Sequence, residues 1–373
     1  MQLKIGIVGS GQLAKYLFQS IKKLDHLCLI LVEENQEILF QADEVFTDPT
    51  EFLKAVDIYS FENEFFDLTK LNDPASQKAF PSLQAMSLSK NKIAQKKLIE
   101  SLEIPSSPMR LLSEFQNPNA FLAQVKWDFK DSLMLKRSQG SYDGYGNYKV
   151  QKSTSLEALL KWLEASSCDV YAEKMVDFED ELALVFCALN GEVKNSYPLF
   201  LTQQLNSCCY SVEKHQNQEL KNEMLIWAEK ISHQLNYTGV MAIEAFLEKD
   251  GTILFNELAP RVHNSGHLSL DSHDLSQFDL HILCGIAQLK GLENFQPELE
   301  ELFSHYKMFN LLGDGIKDYS QLQSIQNEDF SVYNYTKKIN RVGRKMGHVN
   351  FFSQSVVDFN KQFENWEKNQ WSK

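Results

Sequence analysis

Two acidic residues stand in the stretch that decides the fold: Val240-Met-Ala-Ile-Glu244-Ala-Phe-Leu247, then Lys249-Asp-Gly251, then Thr252-Ile-Leu-Phe-Asn-Glu257-Leu258. The two apolar runs read as antiparallel strands, and the Asp-Gly turn joins them as a hairpin. Each run carries one carboxylate among apolar neighbours. Burying one charge costs several kcal/mol unless it is paired or bound to a metal, and two close together repel. A hard cation such as Mg²⁺ resolves that conflict and bridges triphosphate oxygens. Glu244 and Glu257 are therefore the expected metal ligands, with Asn256 as a neutral oxygen beside them. The bland alternative is a cross-strand pair on a solvated face.

The hairpin runs on into Ala259-Pro-Arg-Val-His-Asn-Ser-Gly-His267, which is dense in donors. Arg261 has the forked geometry for an oxyanion, and Asn264 and Ser265 can hydrogen-bond it. His263 and His267 have zinc-type spacing only if helical, and the intervening Ser-Gly and the missing third ligand argue against zinc.

Upstream, residues 3–8 predict a buried parallel strand. Gly9-Ser-Gly-Gln-Leu-Ala14 follows as a glycine turn, and Leu13, Tyr16, Leu17, Ile21 and Leu24 mark a helical stripe. Residues 27–32 and 55–61 predict further strands. This βαβ order predicts an α/β chain opening with a Rossmann-like parallel sheet. The turn fits G-x-G-x-x-G/A with Glu33-Glu34 about 20 residues on, a weak dinucleotide signal by itself. A Lys-rich helix is expected over 88–102, ending before Ile104-Pro105. Strands are expected at 132–137, 170–174 and 182–188, and helices at 154–165, 220–235 and 275–289. Short strands and a polar tail are expected from about residue 296. Lys136 precedes the Gly-rich loop Gln139-Gly-Ser-Tyr-Asp-Gly-Tyr-Gly146, suited to a phosphate lid because converging N–H groups and one ammonium meet phosphate oxygens. A basic run, Lys337 to His348, stands out in an otherwise acidic chain.

Bulk properties narrow the classes. The 373 residues carry 37 Lys+Arg against 50 Asp+Glu, a formal charge of −13, which disfavours nucleic acid as a partner. The longest early apolar run, 27–32, is far short of the ~20 residues a membrane span needs. No signal-peptide layout begins the sequence. Six cysteines (28, 168, 187, 208, 209 and 284) include no C-x-x-C pair, so reduced thiols in the cytoplasm are expected.

Together, Gly9-Ser-Gly-Gln-Leu13, Phe61-Glu-Asn63, Tyr142-Asp-Gly144, Asn256 to His267, Ser276-Gln-Phe278, Asn310-Leu-Leu-Gly313 and Gly343-Arg-Lys-Met-Gly-His348 resemble the 5-(carboxyamino)imidazole ribonucleotide synthases, ATP-grasp ligases of purine biosynthesis. The resemblance runs from the first strand to about Asn350. It implies an N-terminal Rossmann-like domain (1–103), a central ATP-grasp domain (104–295) and a small C-terminal domain (296–373). It implies ATP, Mg²⁺ and bicarbonate acting on 5-aminoimidazole ribonucleotide, and a homodimer. By position, it implies that ATP meets Lys92, Lys136, Ser141, Tyr142, Asp143, Gly144, Tyr145, Gly146, Asn147, Glu173, Lys174, Met175, Val176, Glu181, Gln204, Asn256 and Glu257. Gln12, Leu13, Glu62, Tyr142, Asn264, Ser265, Lys337, Arg344 and Lys345 would hold the ribonucleotide or bicarbonate. Asp143, Lys337, Arg344 and Arg261 are the implied catalytic set. Ser141 and Tyr145 depart from the usual lid, Lys92 stands for an arginine, Gln204 for a histidine, and Lys15 for an arginine. The competing readings are a neighbouring ATP-grasp ligase with a different acceptor, and a dinucleotide-dependent oxidoreductase or a catalytically dead binding module.

Overall fold

The computed structural model describes residues 2–71, 77–130, 132–140, 146–151, 153–316, 324–326, 328–355 and 361–362. The chain divides into two compact units. One comprises residues 1–86, 182–243 and 259–373, and the other 87–181 and 244–258. Helices and strands are both substantial, as expected of an α/β chain.

The first unit opens as its glycine turn predicts. Four parallel strands lie in the order Glu44–Phe46, Leu27–Leu31, Lys4–Val8, Ile58–Phe61. The central strands are buried almost throughout, which is why they read as continuous apolar runs and not as alternating ones. Helix Gln12–Lys23 buries Leu13, Tyr16, Leu17 and Ile21 on one face. The strand expected at 55–61 begins only at Ile58. Ahead of it lies helix Pro49–Ala55, capped by Asp48, which accepts from the Thr50 N–H at 2.7 Å, with Pro49 in the first turn. Asp-Pro is a helix-start signal, and the apolar residues at 52, 53 and 56 serve that helix as well as they would a strand.

An antiparallel sheet completes this unit. From strand Phe178–Leu189 its order runs on through Phe200–Leu205, Cys208–Lys214, His305–Leu312, Lys345–Ser353, Phe330–Asn334 and Ile325–Gln326. The late strands are longer than expected: His305–Leu312 pairs with Lys345–Ser353 from His305↔Ser353 to Leu312↔Lys345. The basic run at 337–348 therefore ends inside a buried strand.

In the second unit, antiparallel strands Met109–Leu111, Val170–Lys174, Leu133–Arg137 and Asn147–Val150 form a sheet. Helices Pro118–Phe129 and Leu156–Glu164 cover it around Phe121, Leu122, Leu133, Leu135 and Leu159. The single helix expected at 88–102 is two, Leu83–Lys90 and Lys92–Ser101. Asn91 breaks them apart: its backbone is extended, and its side chain accepts from the N–H groups of Ile93 (3.0 Å) and Ala94 (3.1 Å). The hairpin forms at its Asp-Gly turn, where the Glu248 N–H donates to the Thr252 carbonyl at 2.8 Å and Gly251 sits at φ +89°.

Four histidines of the first unit are buried: His267, His273, His281 and His348. His281 shows how such a ring is kept neutral. Its Nδ1 accepts from the Val240 N–H at 2.9 Å, which leaves the proton on Nε2, 2.6 Å from the Ser60 hydroxyl. Burial pushes His281 and His267 down to about 3 and His273 down to about 4, and it also drives His348 well below the ordinary range. Their native pKa values lie below the unfolded value of about 6.5, so the unfolded chain binds more protons below that pH. Stability is thus fully present above pH ~6.5 and is lost as pH falls toward 4, at about 1.4 kcal/mol per pH unit for each such ring. Denaturant midpoints measured from pH 8 to 4.5 should be flat and then drop steeply, and His281→Gln should flatten the drop by about one proton. A midpoint unchanged down to pH 5 would contradict neutral burial.

Candidate functional site

The second unit gathers charge around helix Lys92–Ser101. Lys92, Gln95 and Lys96 fall within one turn, on one face. The Lys92 ammonium pairs with Glu257 of the hairpin, and that of Lys96 with Glu173. Between them, Gln95 clamps the hairpin backbone: its Nε2 donates to the Leu258 carbonyl (3.3 Å) and its Oε1 accepts from the Leu258 N–H (3.4 Å).

Strand register places the second lysine. Lys136 stands opposite Tyr171, and Met134 opposite Glu173. Lys136 and Glu173 are thus diagonal neighbours on one sheet face, within reach of each other, and they form an ion pair. The Glu173 side chain is only 7% exposed, and each of its oxygens meets one lysine. Burial pushes this carboxyl up, but Lys136 and Lys96 outweigh it and hold the group below the ordinary carboxylate range. Burial likewise lowers Lys96, with Glu173 working against it. The buried Tyr171 phenol is raised by burial first and then by the negative charge of Glu173 and Glu257.

The two hairpin carboxylates are not as deeply buried as their apolar neighbours suggest. Glu244 is half-buried, and the Glu257 side chain is 42% exposed and balanced by Lys92. A neighbouring lysine thus supplies the positive charge that the sequence argument assigned to a metal alone. Asn256 is half-buried beside it. Asn147 begins the strand opposite Lys136, and the Gly146 carbonyl just before it accepts from the Arg137 N–H at 3.1 Å. Ser141, Tyr142, Asp143, Gly144 and Tyr145 lie outside the described residues. Lys174 is exposed, Met175, Val176 and Glu181 are half-buried, and the Met175 N–H donates to the Ser132 carbonyl at 2.9 Å. Gln204 belongs to the other unit, exposed near the end of strand Phe200–Leu205.

In the first unit the glycine turn wraps a carboxylate. A Cβ on Gly9, which sits at φ +115°, would come within 2.3 Å of Glu62 Cγ, and one on Gly11 within 2.8 Å of both Glu62 oxygens. Glu62 accepts from the Ala14 N–H (3.2 Å) in the first turn of helix Gln12–Lys23 and from Asn63 Nδ2 (2.9 Å). The helix N-terminus, where a dinucleotide fold seats its pyrophosphate, therefore holds Glu62. Glu33 and Glu34 are both exposed. Gln12 is half-buried and Leu13 buried.

Ser10 Oγ donates to the Glu37 carbonyl (2.8 Å), fixing the turn against residues 35–39. Those residues, with Thr336, Lys338 and Ile339, line a cavity of about 640 Å³. Lys337, between Thr336 and Lys338, donates to the Lys345 carbonyl (2.8 Å) and lies 5.2 Å from the Tyr335 ring centroid. Arg344 Nη1 donates to the Ile339 carbonyl (2.7 Å). The basic loop is thus a turn closed on itself by its own side chains, with Lys338, Ile339, Arg341 and Val342 exposed.

Arg261 Nε donates to Glu64 (2.8 Å), an ion pair in which both side chains are about one-sixth exposed. Asn264 and Asn310 exchange amide hydrogen bonds at 3.0 and 2.7 Å, and Ser265 is buried beside His263. His267 is wholly buried, facing His348 at 4.9 Å between ring centroids. Among the described residues, no group of three or more His, Cys, Asp or Glu is arranged to hold a metal.

Gln95, Lys96, Glu64 and Tyr171 take part in these contacts without standing in any sequence motif. The spacing of 92, 95 and 96 was a usable signal for the first two. Nothing local marks Glu64 or Tyr171, whose roles come from strand pairing and tertiary contact.

An ATP-grasp domain profile matches residues 97–278, and a phosphoribosylaminoimidazole carboxylase C-terminal domain profile matches 307–362. The fold is that of an ATP-grasp ligase. A phosphoribosylaminoimidazole carboxylase of Ogataea methanolica is 31% identical over 382 residues, covering 95% of this chain and 67% of that protein. An N5-carboxyaminoimidazole ribonucleotide synthase of Bacillus subtilis is 29% identical, covering 97% of this chain and 94% of its own length. The crystal structure of an N5-carboxyaminoimidazole synthase from Aspergillus clavatus in complex with ADP and 5-aminoimidazole ribonucleotide is 27% identical, with a TM-score of 0.82 over 98% of each chain. The chain belongs to the N5-carboxyaminoimidazole ribonucleotide synthase family.

The packing of Glu62 gives a direct test of the first unit. A methyl group at residue 11 leaves no room for the carboxylate, and overpacking of this kind costs about 1–3 kcal/mol. Gly11→Ala should lower the denaturant midpoint accordingly, while Gly11→Ala combined with Glu62→Ala should recover most of the loss. Equal loss in the single and double variants would contradict the contact.

Proposed function

We propose that this chain uses ATP to carboxylate the exocyclic amine of 5-aminoimidazole ribonucleotide. Bicarbonate is first phosphorylated; the amine then captures the carboxyphosphate, or the CO₂ it releases, giving the carbamate, ADP and phosphate. The observation that carries the reading is the near full-length match to synthases of that one activity, among them one crystallised with ADP and the aminoimidazole ribonucleotide. The charge cluster of the second unit fits it.

Phosphoryl transfer needs position and charge neutralisation more than covalent help. Lys136 and Lys92, now spent on Glu173 and Glu257, are the cations available to phosphates. Gly146, Asn147 and the segment from Glu173 through Val176 would border the nucleotide, Glu181 would meet the ribose hydroxyls, and Gln204 would complete the contacts. Glu244 and Glu257, with the Asn256 amide oxygen, offer the hard oxygen donors Mg²⁺ prefers. A cation already stands on Glu257 as the Lys92 ammonium, so the residues suit the ion. When bound, Mg²⁺ would neutralise charge on the triphosphate.

For the acceptor, Gln12, Leu13, Glu62, Lys337, Arg344 and Lys345 would hold the ribonucleotide. Tyr142 and Asp143 lie outside the described residues, and Asp143 is assigned to orient or deprotonate the amine. Arg261, with Asn264 and Ser265, would take bicarbonate or carboxyphosphate; Glu64 holds its Nε edge in place. A labile acyl phosphate must be kept from water, the task assigned to the 141–146 loop.

A cytoplasmic homodimer of three domains (1–103, 104–295 and 296–373) accompanies this reading. The six free cysteines bear on the compartment alone, as reduced thiols suit the cytoplasm.

ADP release should require both bicarbonate and 5-aminoimidazole ribonucleotide; release without bicarbonate dependence would reject carboxylation and favour an ATP-grasp ligase using another acid. Glu257→Gln should cut Mg-ATP turnover by about a hundredfold or more with an unchanged circular dichroism spectrum. A near-normal rate would remove Glu257 from the metal site.

A further inference from the structure

Lys96 is one of the most deeply buried charged residues of the described chain, at 5% exposure, and no motif above names it. It shares Glu173 with Lys136, one ammonium on each carboxylate oxygen. The two lysines are not equivalent. Lys136 is 20% exposed, on the strand that leads into the glycine loop, whereas Lys96 is held on a capped helix whose next residue back, Gln95, is bonded to the hairpin backbone. One buried carboxylate thus carries two cations, one more than neutrality needs.

That surplus has a use. A buried carboxylate stripped of its counterion is strongly unfavourable. With Lys136 as the sole partner, each phosphate drawing Lys136 away would leave Glu173 uncompensated. We propose that Lys96 is a positioning residue for nucleotide binding: a fixed counterion that keeps Glu173 neutralised, so that Lys136 can transfer from the carboxylate to the phosphates. This rests on the reading of Lys136 as a nucleotide contact. Lys96 itself touches no substrate, so its loss weakens nucleotide binding and leaves the chemical step nearly intact.

The test replaces Lys96 by Met, by Gln and by Arg in the full chain. Two quantities are read: the dissociation constant of Mg-ADP by calorimetry, and KM and kcat for Mg-ATP. Lys96→Met and Lys96→Gln should raise both the dissociation constant and KM by about tenfold or more with kcat within about twofold, the split expected when binding and not the transition state is affected. Lys96→Arg, which keeps the charge, should restore both toward the parent values. Parent-like binding in Lys96→Gln, or the same loss in Lys96→Arg, would overturn the proposal. Failure of both neutral variants to fold, with Lys96→Arg folded but binding like the parent, would assign Lys96 to stability alone and overturn it too. A parent enzyme that binds Mg-ADP but shows no bicarbonate-dependent turnover would sink the functional reading instead, leaving the binding comparison to judge Lys96.

Discussion

A carboxylate that sheet packing has taken out of water must find its counter-charge inside the protein. Glu173 is that group here, and much of the second unit is arranged around it. Its strand places it diagonal to Lys136, and a separate helix delivers Lys96 to the other oxygen. The same helix turn sends Gln95 to the hairpin backbone and Lys92 to Glu257. Moving that helix would therefore disturb the hairpin and the sheet together. Asn91 sets where it begins, which gives one side-chain cap a reach well beyond its own turn.

The first unit meets the same constraint with a different device. Glu62 is 6% exposed, with no lysine or arginine paired to it among the described contacts. Its carboxylate lies at the start of helix Gln12–Lys23, accepts a backbone N–H, and fits only because residues 9 and 11 have no side chain. The two solutions differ in what they leave available. Ammonium groups can be drawn away by phosphates, whereas backbone N–H groups stay where the helix puts them.

How far the sequence could be read follows from these interactions. Period and turn chemistry are local, so the first parallel strands, the Asp-Gly hairpin and the helix at 218–235 were legible. The helix at 49–55 was missed because Phe52, Leu53 and Val56 suit either period, and the Asp48-Pro49 start was the deciding signal. The break at Asn91 was missed because lysines continue on both sides of it. The chemistry of 256–267 and 337–348 was marked by residue type alone. What was not legible was partnership. Nothing in the sequence says that Glu257 meets Lys92, that Arg261 meets Glu64, or that Asn264 pairs with Asn310, since partners 46 to 197 residues apart are set by topology.

On the proposed function, the second unit is a charge arrangement set for incoming phosphates, with Lys92 and Lys136 held by carboxylates until nucleotide displaces them. A crystal structure with Mg²⁺ and a nonhydrolysable ATP analogue tests this most directly. The account predicts Lys136 and Lys92 on phosphate oxygens, the metal at Glu257 and Glu244, and Lys96 still on Glu173. Nucleotide bound with Lys136 and Lys92 still on their carboxylates, or bound elsewhere on the chain, would contradict it.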